Sequence, residues 1–331
     1  MSQKPEGHVR HRFILASGFW LLACFLASSA LAQKSWKPSR TPDGQPDLQG
    51  NWTNVTITPL ERPAEFVNKP FLTKTEAAEY EKRTLENNNA DRRDGGVDAD
   101  LGRAYNDAWY DRGTHVVPTL RSSLVIDPPE GRIPQLRPER QKQMAAWRDE
   151  LQTRATDEPE YRPLPERCLL WPTAGPPMLP SFYNNNYQIV QAPGYLMILV
   201  EMIHDARIIP LDGRPHAPAP VRQWLGDSRG HWEGDTLVVE TTNFNDKSRF
   251  RGADANLKLV ERFRRTDPDT IIYEFTVSDP TAFTKPWSAQ IPMRRTEEQI
   301  FEYACHEGNY ALRGVLAGAR ADEKRNQKGE R

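Results

Sequence analysis

The sequence predicts a mainly β protein, an antiparallel barrel or strongly curved sheet with helical decoration near its N-terminus. Three observations lead there. Short runs rich in Val, Ile, Thr and aromatic residues recur over residues 187–304, separated by turn signals at the spacing of a sandwich or barrel. The 28 prolines and 20 glycines among 331 residues rule out a long helical bundle. Clear helix start signals stand ahead of the β-rich part, near residues 73 and 138.

In chain order, residues 1–32 read as a secretory signal peptide. His8, Arg10, His11 and Arg12 precede an apolar run from Phe13 to Leu26, and Ala30-Leu31-Ala32 makes a cleavage site before Gln33. That run, about 14 residues long, is short for a bilayer core that needs roughly 20. A lipoprotein alternative at Cys24 is disfavoured by the bulky Phe25 that follows it. The expected location is periplasmic or secreted. Residues 33–320 then form a single β-rich domain with N-terminal helices, and 321–331 a charged, disordered tail.

Within the domain, Thr41-Pro42-Asp43-Gly44 is a turn, and Leu48 to Thr58 carries a strand. Thr73 and Glu76 form a capping box for a helix that fades at Asn87-Asn88-Asn89. The charged stretch 90–103 reads as a loop, Leu120 to Ile126 as a short strand, and Pro138 to Arg154 as a helix. Strands follow over 187–190, 195–203, 207–210, 236–242, 257–264, 270–277, 287–293 and 299–304, and Tyr310 to Ala319 closes as a helix. Asp267-Pro268-Asp269 is a hairpin turn.

Charge and motifs narrow the function. Lys and Arg total 44 against 45 Asp and Glu with no basic stripe, which removes nucleic acid as a partner, and no membrane association is expected once the signal is cleaved. GxSxG, GxxxxGK, HExxH and dinucleotide fingerprints are absent, and no cofactor is implied. Beyond Cys24 only Cys168 and Cys305 remain, and in an oxidising compartment they are expected to pair. Such a bridge closes a loop of more than 100 residues, for which chain entropy gives about 4 to 5 kcal/mol. A Cys305-His306-Glu307 thiol nucleophile is then excluded by oxidation.

Two strings, Gly50-Asn51-Trp52 and Gly230-His231-Trp232, resemble the GxW opening of lipocalin-like barrels. Longer strings resemble a family of uncharacterised exported bacterial proteins. They are TPDGQPDLQGNW from Thr41 to Trp52, VIDPPEGRIP from Val125 to Pro134, IIPLDGRPH from Ile208 to His216, WLGDSRGHWEGDTLVVETTNF from Trp224 to Phe244 and YACHEGNYAL from Tyr303 to Leu312. The resemblance covers almost the whole mature chain and implies no reaction or catalytic residue.

The densest polar region, from Glu201 to Asp235, supplies the candidate catalytic groups His204, Arg207, Arg214, His216, His231 and Glu233. A histidine or glutamate there would carry the proton and an arginine would stabilise developing negative charge. Three histidines with a carboxylate also suit a metal, but spacings of 12 and 15 residues match no tight ligand signature, and no metal is expected. The competing reading makes these groups turn hydrogen bonds and ion pairs at a barrel rim. Trp171, Phe182, Tyr183, Tyr187, Tyr195, Trp224, Trp232 and Trp287 concentrate in the same half of the chain, with Tyr187, Tyr195, Trp224 and Trp232 chosen as pocket-lining. Two functions fit: an enzyme doing acid–base chemistry of isomerase, lyase or hydrolase type on a small organic molecule, and a non-catalytic lipocalin-like carrier of apolar ligands. The polar content of 201–235 leans towards the enzyme. In both cases the partner is a small apolar or aromatic molecule.

Overall fold

A computed structural model describes residues 36–102, 106–327 and 329. The expected signal peptide and Cys24 lie outside the described residues. Residues Pro38–Arg331 make one compact unit.

Ten strands join a single antiparallel sheet: β1 (Gly50–Thr53), β2 (Val125–Asp127), β3 (Asn186–Ala192), β4 (Tyr195–Val200), β5 (Ala206–Pro210), β6 (Asp227–Glu233), β7 (Thr236–Thr242), β8 (Lys258–Asp267), β9 (Thr270–Ser278) and β10 (Trp287–Arg295). The order β5-β4-β3-β1-β10-β9-β8-β7-β6 is an up-and-down meander curled into a nearly closed nine-strand barrel. β1 lies between β3 and β10, and β2 continues its line along β10. Strand exceeds helix only slightly, 27% against 23%, yet all the strands belong to the one barrel. The expected β barrel is therefore the fold.

Alternation builds the interior. β9 runs Thr270–Ser278 with Ile271, Tyr273, Phe275 and Val277 buried and their neighbours half-buried, as a strand with one core face must. Trp52, Tyr187, Phe263 and Trp287 are fully enclosed with them, so side chains fill the lumen. Trp52 explains the GxW string. Its indole Nε1–H donates to the Leu48 carbonyl, and the Arg265 and Arg295 guanidiniums lie over its ring at 5.4 and 4.8 Å. The backbone at Gly50 sits at φ +128°, a conformation that favours glycine, and a Cβ there would stand 2.7 Å from Arg295 Nη1 and displace that guanidinium.

The last seam, between β5 and β6, has no hydrogen-bonded ladder. Side chains close it instead. Gly230 leaves room for Leu211 and Ile209, whose methyls would stand 2.6 and 3.1 Å from a Cβ there. Arg207 of β5 reaches across to Ser228 of β6 at 3.3 Å and Glu261 of β8 at 3.1 and 2.6 Å. Glu261 also accepts from the Tyr273 hydroxyl at 2.8 Å, and that hydroxyl accepts the Met178 N–H at 3.0 Å.

Helix α1 (Lys74–Asn88) has the expected capping box, Thr73 and Glu76 satisfying each other's backbone N–H. Helix α2 (Gly96–Gly102) occupies the stretch read as loop. Helix α3 (Pro138–Thr153) starts at its proline and docks through Met144 and an Arg140–Asp254 ion pair. Helix α4 runs from Tyr310 to Gln327, so the tail expected to be disordered is helical well past Arg320. Good helix formers and the Arg320–Glu323 and Asp322–Arg325 pairs carry it on.

Three further differences have local causes. The strand expected to reach Ile203 stops at Val200, because Ile203 and His204 take positive φ (66° and 64°) and reverse the chain. Residues 227–233, not among the expected strands, form β6, paired with β7 from Asp227↔Thr242 to Glu233↔Thr236. Residues 299–304 are irregular: the Phe301 N–H bonds the Glu201 carboxylate at 3.3 Å rather than a ladder. The Cys168–Cys305 disulfide then ties this segment to the proline-rich stretch before β3. Among the described residues no helix is long and apolar enough to cross a membrane.

Candidate functional site

At the barrel end where β1 leaves and β3 enters, a groove of about 630 Å³ opens to the surface. Its floor is the extended segment Thr56–Leu60 with Leu124, and its wall is the proline-rich stretch carrying Trp171, Leu179 and Phe182. The floor is fixed by its backbone. Leu124 and Val125 donate to the carbonyls of Pro59 and Leu60 at 2.9 Å, and the Thr58 hydroxyl accepts the Val117 N–H at 2.8 Å. The wall is held from inside, because its Met178 is fully buried in the barrel end and bonded to Tyr273.

Prolines explain the aromatic exposure. Without N–H groups, residues 172, 176, 177 and 180 cannot join a ladder, so the segment crosses the barrel end as an irregular strap. Phe182 stays 40% exposed. It packs edge-on against Trp171, Tyr183 and Tyr110 with centroids 5.7, 4.7 and 6.1 Å away, and Tyr303 stacks on Tyr183.

Two arginines are the only charged residues that line the groove among the described residues. Arg112 lies over the Tyr110 ring at 3.7 Å and donates one bond, 2.5 Å, to the Asn88 carbonyl at the end of α1. Buried Asn185 positions it. Its amide donates to the Asp111 and Ser181 carbonyls at 2.7 and 3.2 Å, and its oxygen accepts the Ser181 N–H at 2.7 Å. The Asp111 N–H completes the staple on the Phe182 carbonyl at 2.8 Å. Arg251 stands at a tight turn in which Phe250 and Ala253 exchange backbone hydrogen bonds, with its own φ at +56°. The Ser181 hydroxyl is buried with no hydrogen-bond partner.

Beyond Arg112 lies a second, polar recess of about 420 Å³, lined by Asp107, Asp111, Arg294 and Glu298 among others. Desolvation pushes the Asp111 carboxyl pKa up. This recess has carboxylates and arginines together, whereas the groove has no carboxylate.

No family model, curated protein or solved structure matches the chain. What the site does must therefore be read from its own side chains.

The six candidate catalytic residues are not brought together, and none lines the groove. His231 and Glu233 sit on the outer face of β6 and pair at 3.3 Å, with Arg262 on Glu233 at 2.7 Å. His216 bonds Asp227 at 2.9 Å. Burial works against ionisation of Asp227, but the Ala217 N–H, His216 and Arg229 still hold its pKa below the usual carboxylate range. Arg214 is spent on Asp212 and the Tyr195 hydroxyl at the surface, and His204 is exposed on the turn between β4 and β5. Arg207 alone is deeply buried, locked to Glu261. His204, His216 and His231 do not assemble into one ligand set, and no metal-holding group of three His, Cys, Asp or Glu occurs among the described residues.

The chosen pocket residues divide similarly. Tyr187 is sealed in the core with its hydroxyl bonded to Asn54, and burial raises its pKa. Tyr195 is exposed beneath Arg214, and Trp232 packs half-buried against the barrel core. Trp224 lines a small recess that shares Trp171 with the groove. Arg112, Arg251, Ser181 and the Thr56–Leu60 floor were missed because none belongs to a motif. The usable signal was the run of prolines interleaved with Trp171 and Phe182, which cannot form a strand and so leaves aromatic faces uncovered.

Proposed function

We propose that this protein binds a small apolar or aromatic molecule in the surface groove walled by Trp171 and Phe182, without transforming it. The observation that carries this is the groove's composition: aromatic and aliphatic, with no histidine and no carboxylate among the lining residues. Proton transfer demands a titratable group within about 3 Å of the reacting atom. The groove offers no histidine and no carboxylate to carry the proton. A lumen carrier of the lipocalin kind is disfavoured, since Trp52, Tyr187, Phe263, Tyr273, Phe275 and Trp287 occupy the barrel interior. The disulfide supports action in an oxidising compartment, periplasmic or extracellular.

Fluorescence titration with phenylnaphthylamine, a neutral apolar probe, tests the reading. One saturable site is expected, weakened about tenfold by Phe182→Ala or Trp171→Ala, the loss of one aromatic contact. Equal affinity in both variants would remove the groove as the site. Mass spectrometry after incubation with a panel of small aromatic and terpenoid compounds should recover them unchanged. Turnover abolished by His231→Ala would restore the catalytic alternative.

A further inference from the structure

We infer that the ligand of this groove is an apolar anion, a small aromatic or aliphatic carboxylate or sulfonate, with its charged end received by Arg112 and Arg251. The inference rests on the binding reading above and adds the ligand's charge. Both guanidiniums line a groove that contains no carboxylate among the described residues, and neither forms an ion pair with one there. Arg112 places one donor on the Asn88 carbonyl and lies flat on Tyr110, while no hydrogen bond of the Arg251 side chain occurs among the described residues. Most other arginines that organise this fold do have acidic partners, as Arg140 has Asp254 and Arg207 has Glu261.

Two further observations point the same way. Arg251 holds a left-handed backbone conformation that glycine or asparagine would adopt at lower cost, and its side chain stands exposed at the groove. Ser181 Oγ is buried without a partner beside the groove, stapled by Asn185 to the segment that carries Arg112. A forked guanidinium matches a carboxylate in two parallel bonds, and the adjoining apolar surface strengthens them by excluding water. Trp171, Phe182 and Leu179 would cover the uncharged body of the same molecule.

The test compares two probes with the same aromatic body. Anilinonaphthalene sulfonate is anionic and phenylnaphthylamine is neutral, and both are titrated against the full chain with its disulfide intact, at low and high salt. The sulfonate should bind about tenfold more tightly than the neutral probe. Arg112→Gln and Arg251→Gln should each remove most of that advantage, weakening the sulfonate by far more than the neutral probe. Equal affinities for the two probes, or a sulfonate preference untouched by both substitutions, would overturn the anion inference and leave the groove reading standing. Binding of neither probe, or binding indifferent to Phe182→Ala, would overturn the groove reading and this inference with it.

Discussion

The Arg207–Glu261 pair bridges the unpaired seam of the barrel, and its removal has a calculable signature. Both side chains are almost wholly enclosed, 2% and 0% exposed, with Arg207 nitrogens 3.1 and 2.6 Å from the carboxylate oxygens. Replacing Glu261 by Leu strands a buried guanidinium, at a cost of about 3 to 5 kcal/mol. The Tyr273 hydroxyl loses its acceptor as well, about 1 kcal/mol more. Arg207→Met strands the buried carboxylate instead. The double variant Arg207→Met, Glu261→Leu removes both charges and fills their space with apolar atoms, so it should be more stable than Glu261→Leu alone by roughly 2 kcal/mol or more. Urea unfolding followed by tryptophan fluorescence reads this directly, because Trp52 and Trp287 are fully buried in the same barrel. If the double variant's loss equals the sum of the single losses to within about 0.5 kcal/mol, the two groups are energetically independent and the bridging argument is wrong.

Three other outcomes are expected. Burial raises the Glu201 pKa above its unfolded value, so the folded chain keeps a proton that the unfolded chain has lost, and stability falls as pH rises from about 4.3 through the folded pKa. Glu201→Gln should flatten that fall in urea midpoints measured at stepped pH, and an unchanged slope would assign it to other groups. Opening the disulfide with Cys168→Ser and Cys305→Ser should cost up to about 5 kcal/mol by loop entropy over a separation of 137 residues, and limited proteolysis should then cut between Arg295 and Tyr310 first. Unchanged protease resistance would show that Asn309 and Tyr303 hold the segment unaided. Gly230→Val should destabilise by roughly 1 to 3 kcal/mol in thermal melts, since its side chain would invade the space of Ile209 and Leu211, and a neutral result would mean the seam can open to admit it.

The barrel was legible because its strands alternate: Thr270–Ser278 and Trp287–Arg295 announce a buried face through period two alone. Helix caps were legible for the same reason, each needing only local partners, as Thr73 with Glu76 shows. The disulfide followed from counting. Sequence misled where a polar surface concealed regular backbone. Within Asp227–Glu233 the candidates His231 and Glu233 lie on the exposed face of a regular strand, where they pair with each other. The groove was illegible for a different reason: its lining comes from segments scattered between Thr56 and Arg251, and Asn185, which sets Arg112 beside Phe182, belongs to no recognisable pattern.

The place of β1 between β3 and β10 also dictates an order of assembly. β6 to β10 pair with one another in sequence order, so that half can form without the N-terminal strands. β1 cannot be seated until β10 exists, since Arg295 meets Gln49 across 246 residues of chain. Long-range pairing of that kind slows folding. Until it is complete the curled sheet has open margins at β3 and β10 as well as at the β5–β6 seam, and each is a template for another copy of the chain. Trp52, with Arg265 of β8 and Arg295 of β10 over its ring, is thus the side chain through which the first strand grips the last ones.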